Sequence, residues 1–141
     1  MITFIPILNI TIFFLLSALH FYWAFGGTKG RKVSIPTDSN GRKLFNPSFS
    51  ITIFIAVGFV FFAAVNVAYQ NWMNLAATQN YPKYGMLVIG IIFLLRTIGD
   101  FNYIGLTKTH KQSKFAKFDT LLYIPFCLLL TATHFTAYWL A

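Results

Sequence analysis

The chain has 141 residues, of which 57% are hydrophobic, 19% aromatic and only 10% charged, against about 25% charged in soluble domains. Mean hydropathy is +0.64, and four apolar stretches of about 20 residues, each long enough for a ~30 Å hydrocarbon core, leave too little chain for a separate soluble domain. A formal charge of +8 would suggest nucleic acid in a soluble chain; here the charges follow the apolar segmentation, which points to membrane topology and to no nucleic-acid partner.

The first stretch, MITFIPILNITIFFLLSALHFYWAFGG, has no basic start and no small-residue cleavage site, so it is expected to remain as a span, Phe4 to Phe25. A second span, Ser48 to Gln70, is opened by Asn46-Pro47-Ser48, where proline removes no helical hydrogen bond. A third runs from Tyr84 to Leu106. The fourth, Thr120 to Leu140, is preceded by Asp119 at an expected helix cap and carries Pro125 near its first turns, where a local bend is expected. Residues 1–141 thus read as one all-α membrane domain, an antiparallel bundle of four transmembrane helices.

Charge sets the expected orientation. The loop 26–47 holds Lys29, Arg31, Lys32, Arg42 and Lys43 against Asp38, and the loop 107–119 holds Lys108, Lys111, Lys114 and Lys117 against Asp119, whereas the middle loop has only Lys83. Nine basic side chains against one put both long loops in the cytoplasm and both termini outside, in a multi-pass protein of the cell (inner or plasma) membrane. Tyr22, Trp23, Tyr103 and Tyr123 at the inner span ends, and Tyr69, Trp72, Tyr84, Tyr138 and Trp139 at the outer ones, read as interfacial anchors.

The three acids are Asp38, Asp100 and Asp119, with no glutamate, which excludes zinc-protease helices, EF-hand loops and most paired-carboxylate sites. Cys127 is the single cysteine, so no internal thiol pair exists. In the third span, eleven Leu, Ile, Val and Phe residues between Met86 and Gly105 favour insertion by roughly 3 to 7 kcal/mol, while Arg96 and Asp100 oppose it by roughly 5 to 7. Four residues apart on one helix, these two are expected to pair and to face the bundle interior. At 1.5 Å per residue Asp100 lies about 9 Å deep, Arg96 about 15 Å and His20 about 7 Å, so His20 and Asp100 are expected to meet. An inner polar layer of His20, Arg96, Asp100, Tyr103 and Tyr123 is the candidate site, and Asn9, Asn66 and His134 form a second, outer layer.

No His or Cys spacing fits a metal, His20 and His134 sit at opposite depths for a haem, and Gly26, Gly27 and Gly30 are too sparse for a phosphate loop, so no metal and no cofactor are expected. Membrane lipids are the expected surroundings, with a homo-oligomer or a larger membrane complex as partner.

Three strings, HFYWAFGG (20–27), LLRTIGDFNYIG (94–105) and FAKFDTLLYIPFCLLL (115–130), resemble a bacterial family of small four-span membrane proteins catalogued as a domain of unknown function. The resemblance covers nearly the whole chain and implies a four-helix membrane fold without an assigned activity, substrate or cofactor. Family members often carry a basic residue after Asp-Phe and another after Asp-Thr; Asn102 and Leu121 stand there in this chain, which speaks against an anionic ligand at the inner mouth. Three functions follow from the residues. The leading one is a small-solute or proton-linked transporter or channel-like subunit using Asp100, Arg96 and His20. The others are a non-catalytic accessory or assembly subunit of a larger membrane complex, and a membrane enzyme acting on a lipid or quinone with Asp100 and His20 as acid and base. The scarcity of titrating groups leans the reading away from an enzyme.

Overall fold

The computed structural model describes residues 4–70 and 80–140. Its helices are α1 (Phe4–Ala24), α2 (Arg31–Ser34), α3 (Phe49–Tyr69), α4 (Asn80–Ile98), α5 (Lys114–Phe118) and α6 (Ile124–Leu140), with a π-helical turn, Asp119–Tyr123, joining the last two. Four helical stretches are long and apolar enough to cross a membrane: Phe4–Ala24, Phe49–Tyr69, Tyr81–Ile98 and the 27-residue run Lys114–Leu140. At 1.5 Å per residue, the 21 residues of α1 and of α3 each extend about 31 Å, the thickness of a hydrocarbon core. No strand occurs among the described residues, only an isolated pairing of Thr37 with Lys43.

Local chemistry sets the ends. Ser48 caps α3, its hydroxyl accepting from the Ile51 amide, and Ser113 caps α5 by accepting from Ala116. Asp119 is therefore not the helix cap expected of it: the helix has already begun at Lys114, and Asp119 sits inside the continuous run. The π turn hands the Ile124 amide to the Asp119 carbonyl, five residues back. Pro125 follows directly and has no amide to give Leu121, so a wider turn at this point loses little.

The third span is shorter than its apolar pattern predicts. It stops at Ile98, eight residues before Leu106, because Gly99 takes φ +94° and Phe101 and Gly105 take +66° and +82°. Gly99 and Gly105 meet backbone to backbone. A side chain at Gly99 would strike the Ile104 carbonyl, and one at Gly105 would come within 2.5 Å of the Gly99 Cα, so only glycine fits at both.

The most extensive packing joins α1 to α3 and α4 to α6, with α3 against α4 between them. The core where they meet is made of Ile12, Phe13, Ala63, Ile89, Phe93, Cys127 and Leu130, and the Phe13 ring lies 5.5 to 6.1 Å from those of Phe59, Phe62, Phe93 and His134. Polarity is inverted relative to a water-soluble bundle. Asn9, Ser17, Thr52, Asn66, Thr97, Thr131 and His134 are buried, while Leu15, Phe54, Phe61, Leu95 and Leu121 are exposed, Phe54 at 78% and Leu121 at 80%. Such a surface suits lipid and not water, and the chain is a multi-pass membrane protein.

Candidate functional site

At one end of the bundle α4 stops, the chain turns through 99–107, and the run from α5 through the π turn begins. Asp119 is fully buried at the centre of this corner. Its Oδ1 accepts from Arg96 Nη2 at 2.7 Å, and its Oδ2 accepts from Lys108 Nζ at 3.0 Å and from the Gly105 amide at 2.8 Å. Lys108 is itself buried, its side chain only 3% exposed, and donates a further bond to the Gly105 carbonyl at 3.2 Å. Arg96 is partly open at 31%, although its Nη1 is buried without a partner. Two cations thus share one anion, and the carboxylate has both oxygens taken by charged or backbone donors, which makes it a fastener and a poor base. This clasp also explains the two glycines, since Gly105 must turn its amide onto Asp119 while its Cα touches Gly99.

The expected pair between Arg96 and Asp100 is not formed. The helix that would hold them on one face ends between them, and Asp100 stands outside it, exposed, with Oδ1 accepting from the amides of Asn102, Tyr103 and Ile104 at 2.7 to 3.0 Å. What burial it has raises the Asp100 carboxyl, and the backbone amides of Ile104, Tyr103, Asn102 and Asp100 itself more than offset this, holding it below its ordinary value. Nor do His20 and Asp100 meet. Tyr103 stacks on His110 with ring centroids 4.5 Å apart, and Tyr123, in the π turn, reaches the Val33 carbonyl and the Ser34 hydroxyl at the end of α2. The five inner-layer residues are therefore spread over separate settings. Depth counting failed because it assumed an unbroken helix to Leu106.

Asn9, Asn66 and His134 do come together, all fully buried. His134 Nδ1 lies 2.7 Å from the Leu130 carbonyl, an acceptor that assigns the proton to Nδ1 and leaves Nε2 to accept from Asn66 Nδ2 at 3.3 Å. Asn9 Nδ2 donates to Asn66 Oδ1 at 3.2 Å, and Thr133 donates to Asn9 Oδ1 at 2.9 Å. Three helices are tied by this closed network, the form polar contacts take when they hold membrane helices together.

His20 occupies a fourth setting, flanked by the rings of Trp23 and Phe59 at 4.9 and 5.2 Å and lining a cleft between α1, α3 and the loop that joins them. Among the described residues no three His, Cys, Asp or Glu side chains are grouped to hold a metal. Lys108 escaped the sequence reading as a site residue because it sat among loop lysines, and Asp119 because a cap accounted for it. A usable signal was the pair of glycines six apart in IGDFNYIG, a spacing suited to a closed turn.

Comparison with curated proteins returned no match, and comparison with solved structures returned none. The family described as protein of unknown function (DUF3995) matches residues 13–133, a range that takes in α1 from Phe13, α3, α4, the clasp and α6 as far as Thr133, with Asn9 and His134 of the outer network just outside it. Through that match, and with four apolar helices of spanning length, the chain belongs to the DUF3995 family of proteins of unknown function.

Proposed function

We propose that the protein is a non-catalytic membrane subunit that packs beside partners in the bilayer, its internal charges serving to hold its own fold. One observation carries the reading: the buried carboxylate, Asp119, has every oxygen engaged by Arg96, Lys108 and Gly105, and the other candidate carboxylate, Asp100, is spent on its own loop. A proton- or solute-carrying acid needs a free lone pair facing a path through the bundle; Asp119 has both oxygens engaged, and Asp100 stands exposed in the loop after α4, outside the bundle interior. Buried ion pairs of this kind serve folding and specificity, while the apolar exterior and small loops suit lateral contact with other membrane helices.

The same reading makes the bundle antiparallel, with the basic loops 26–47 and 107–119 in the cytoplasm and both termini outside, in the cell membrane. Membrane lipids surround it, and its partner is a larger complex. Two measurements test this function. In proteoliposomes, wild-type protein and Asp100→Asn give no pH-driven uptake above empty vesicles, and mild-detergent purification from native membranes yields a stoichiometric membrane partner. Uptake that Asp100→Asn abolishes, or a chain that purifies alone or only as a homo-oligomer, overturns it.

A further inference from the structure

The cleft beside His20 is a small cavity of about 130 Å³. Trp23 and His20 near the end of α1 form one wall, Thr52 and Ile55 near the start of α3 another, and the loop residues Arg31, Ser34, Ile35, Phe45 and Pro47 close it. It therefore lies where two spanning helices meet their connecting loop, at the level where a bilayer passes from acyl chain to head group. Its rim is apolar and open, with Phe45 52% and Ile55 38% exposed, while Trp23 and Ile35 are buried behind them.

Hydrogen bonding in the cleft is incomplete in a specific way. His20 Nδ1 lies 2.8 Å from the Leu16 carbonyl, which can only accept, so Nδ1 carries the proton and the neutral ring presents a bare lone pair at Nε2. No described residue donates to that atom. Trp23 Nε1 is already used, donating to the Lys29 carbonyl at 2.7 Å, and the Thr52 hydroxyl donates to Ser48. Arg31 gives one Nη2 bond to the Pro47 carbonyl at 3.2 Å, and its remaining N–H groups have no acceptor among the described residues. The cleft thus offers an acceptor on one wall, cationic donors on another, and aromatic and aliphatic surface between them.

We propose that this cleft binds the ring of a lipid-soluble quinol. A ring hydroxyl supplies the donor that His20 Nε2 lacks, and the oxygen across the ring meets the free N–H groups of Arg31. The ring packs among Trp23, Phe45 and Ile55, and the apolar tail leaves over the Phe45 and Ile55 rim into lipid. Size fits one ring, since an engineered apolar cavity of about 150 Å³ takes up a benzene molecule. A phosphocholine head group matches less well, having no donor of its own for His20 and finding mostly apolar walls. Binding alone is proposed, without electron transfer, and it is independent of the subunit role argued above.

The test uses 2-decyl-1,4-hydroquinone and its dimethyl ether, which keeps ring and tail but has no hydroxyl. Each is titrated against full-length protein in phosphatidylcholine nanodiscs, with Trp72 and Trp139 replaced by Phe so that the emission comes from Trp23. The hydroquinone is expected to quench saturably, with a Kd about tenfold tighter than the ether, the loss that follows from one missing hydrogen bond. His20→Phe is expected to weaken it about tenfold and Arg31→Ala by a smaller factor. Equal affinity for hydroquinone and ether, non-saturating quenching, or unchanged binding by a folded His20→Phe overturns the proposal. Should His20→Phe fail to fold, the ratio between the two compounds decides alone.

Discussion

Asp119 shows what a single buried charge requires. With no exposure and three donors upon it, it is stable only as long as its cations stay, and they are stable only as long as it does. Asp119→Asn is expected to destabilise the fold by about 3–5 kcal/mol, because removing one partner strands the other charges in a poorly solvated corner. Lys108→Met should lose less, since it keeps the aliphatic stem and leaves the Arg96 pair neutral; thermal unfolding in detergent measures the order of the two, and equal midpoints for Asp119→Asn and wild type would refute the clasp. Asp100 makes a milder prediction of definite sign. Its folded pKa is lowered, so its contribution is complete above the ordinary value of about 4 and disappears as pH falls through the lowered one. Hydrogen-exchange protection at the Tyr103 and Ile104 amides should accordingly be constant from neutrality down to about pH 4 and fall only below it, whereas Asp100→Asn should show no such step.

Helix ends carried most of the difference between expectation and outcome. Four spans are legible because apolar runs of about 20 residues have no other stable use in so uncharged a chain. The outer network is legible too, since Asn9, Asn66 and His134 match in depth on helices that continue unbroken past them. Around Gly99 the reading fails, because IGDFNYIG is apolar enough to prolong a helix, whereas the turn is held by Asp100 on the amides of Asn102, Tyr103 and Ile104, by the meeting of Gly99 and Gly105, and by the Gly105 amide on Asp119. The π turn is invisible for a similar reason: nothing in DTLLY announces an additional residue, yet that residue sets the angle at which Asp119 faces Arg96. Deleting Leu121, whose side chain is 80% exposed, should restore an ordinary α-helix and rotate everything before it by about 100° relative to α6. Asp119 would then leave the clasp, so the deletion is expected to lower the unfolding midpoint about as far as Asp119→Asn, although the lost side chain itself packs against little. A midpoint near wild type would mean that the turn does not set the pairing.

Across the described residues, Asn9, Asn66, Thr97, Asp119 and His134 are buried while many large apolar side chains, Phe54, Phe61 and Leu121 among them, face outward. The proposed orientation is checked by reporter fusions: alkaline phosphatase after Leu140 should be active, a fluorescent protein inserted at Asn40 should fluoresce, and the reverse result would invert the bundle. One further consequence comes from the order in which the clasp is synthesised. Arg96 and Asp119 are 23 residues apart, and at about 5–20 residues per second the guanidinium waits roughly 1–5 s for its counter-ion. During that interval the guanidinium has no carboxylate to pair with, and from the last turn of α4 it reaches the interface. Closure of the clasp therefore waits on the last helical run to be made, Lys114–Leu140, which brings Asp119 to cations already in place.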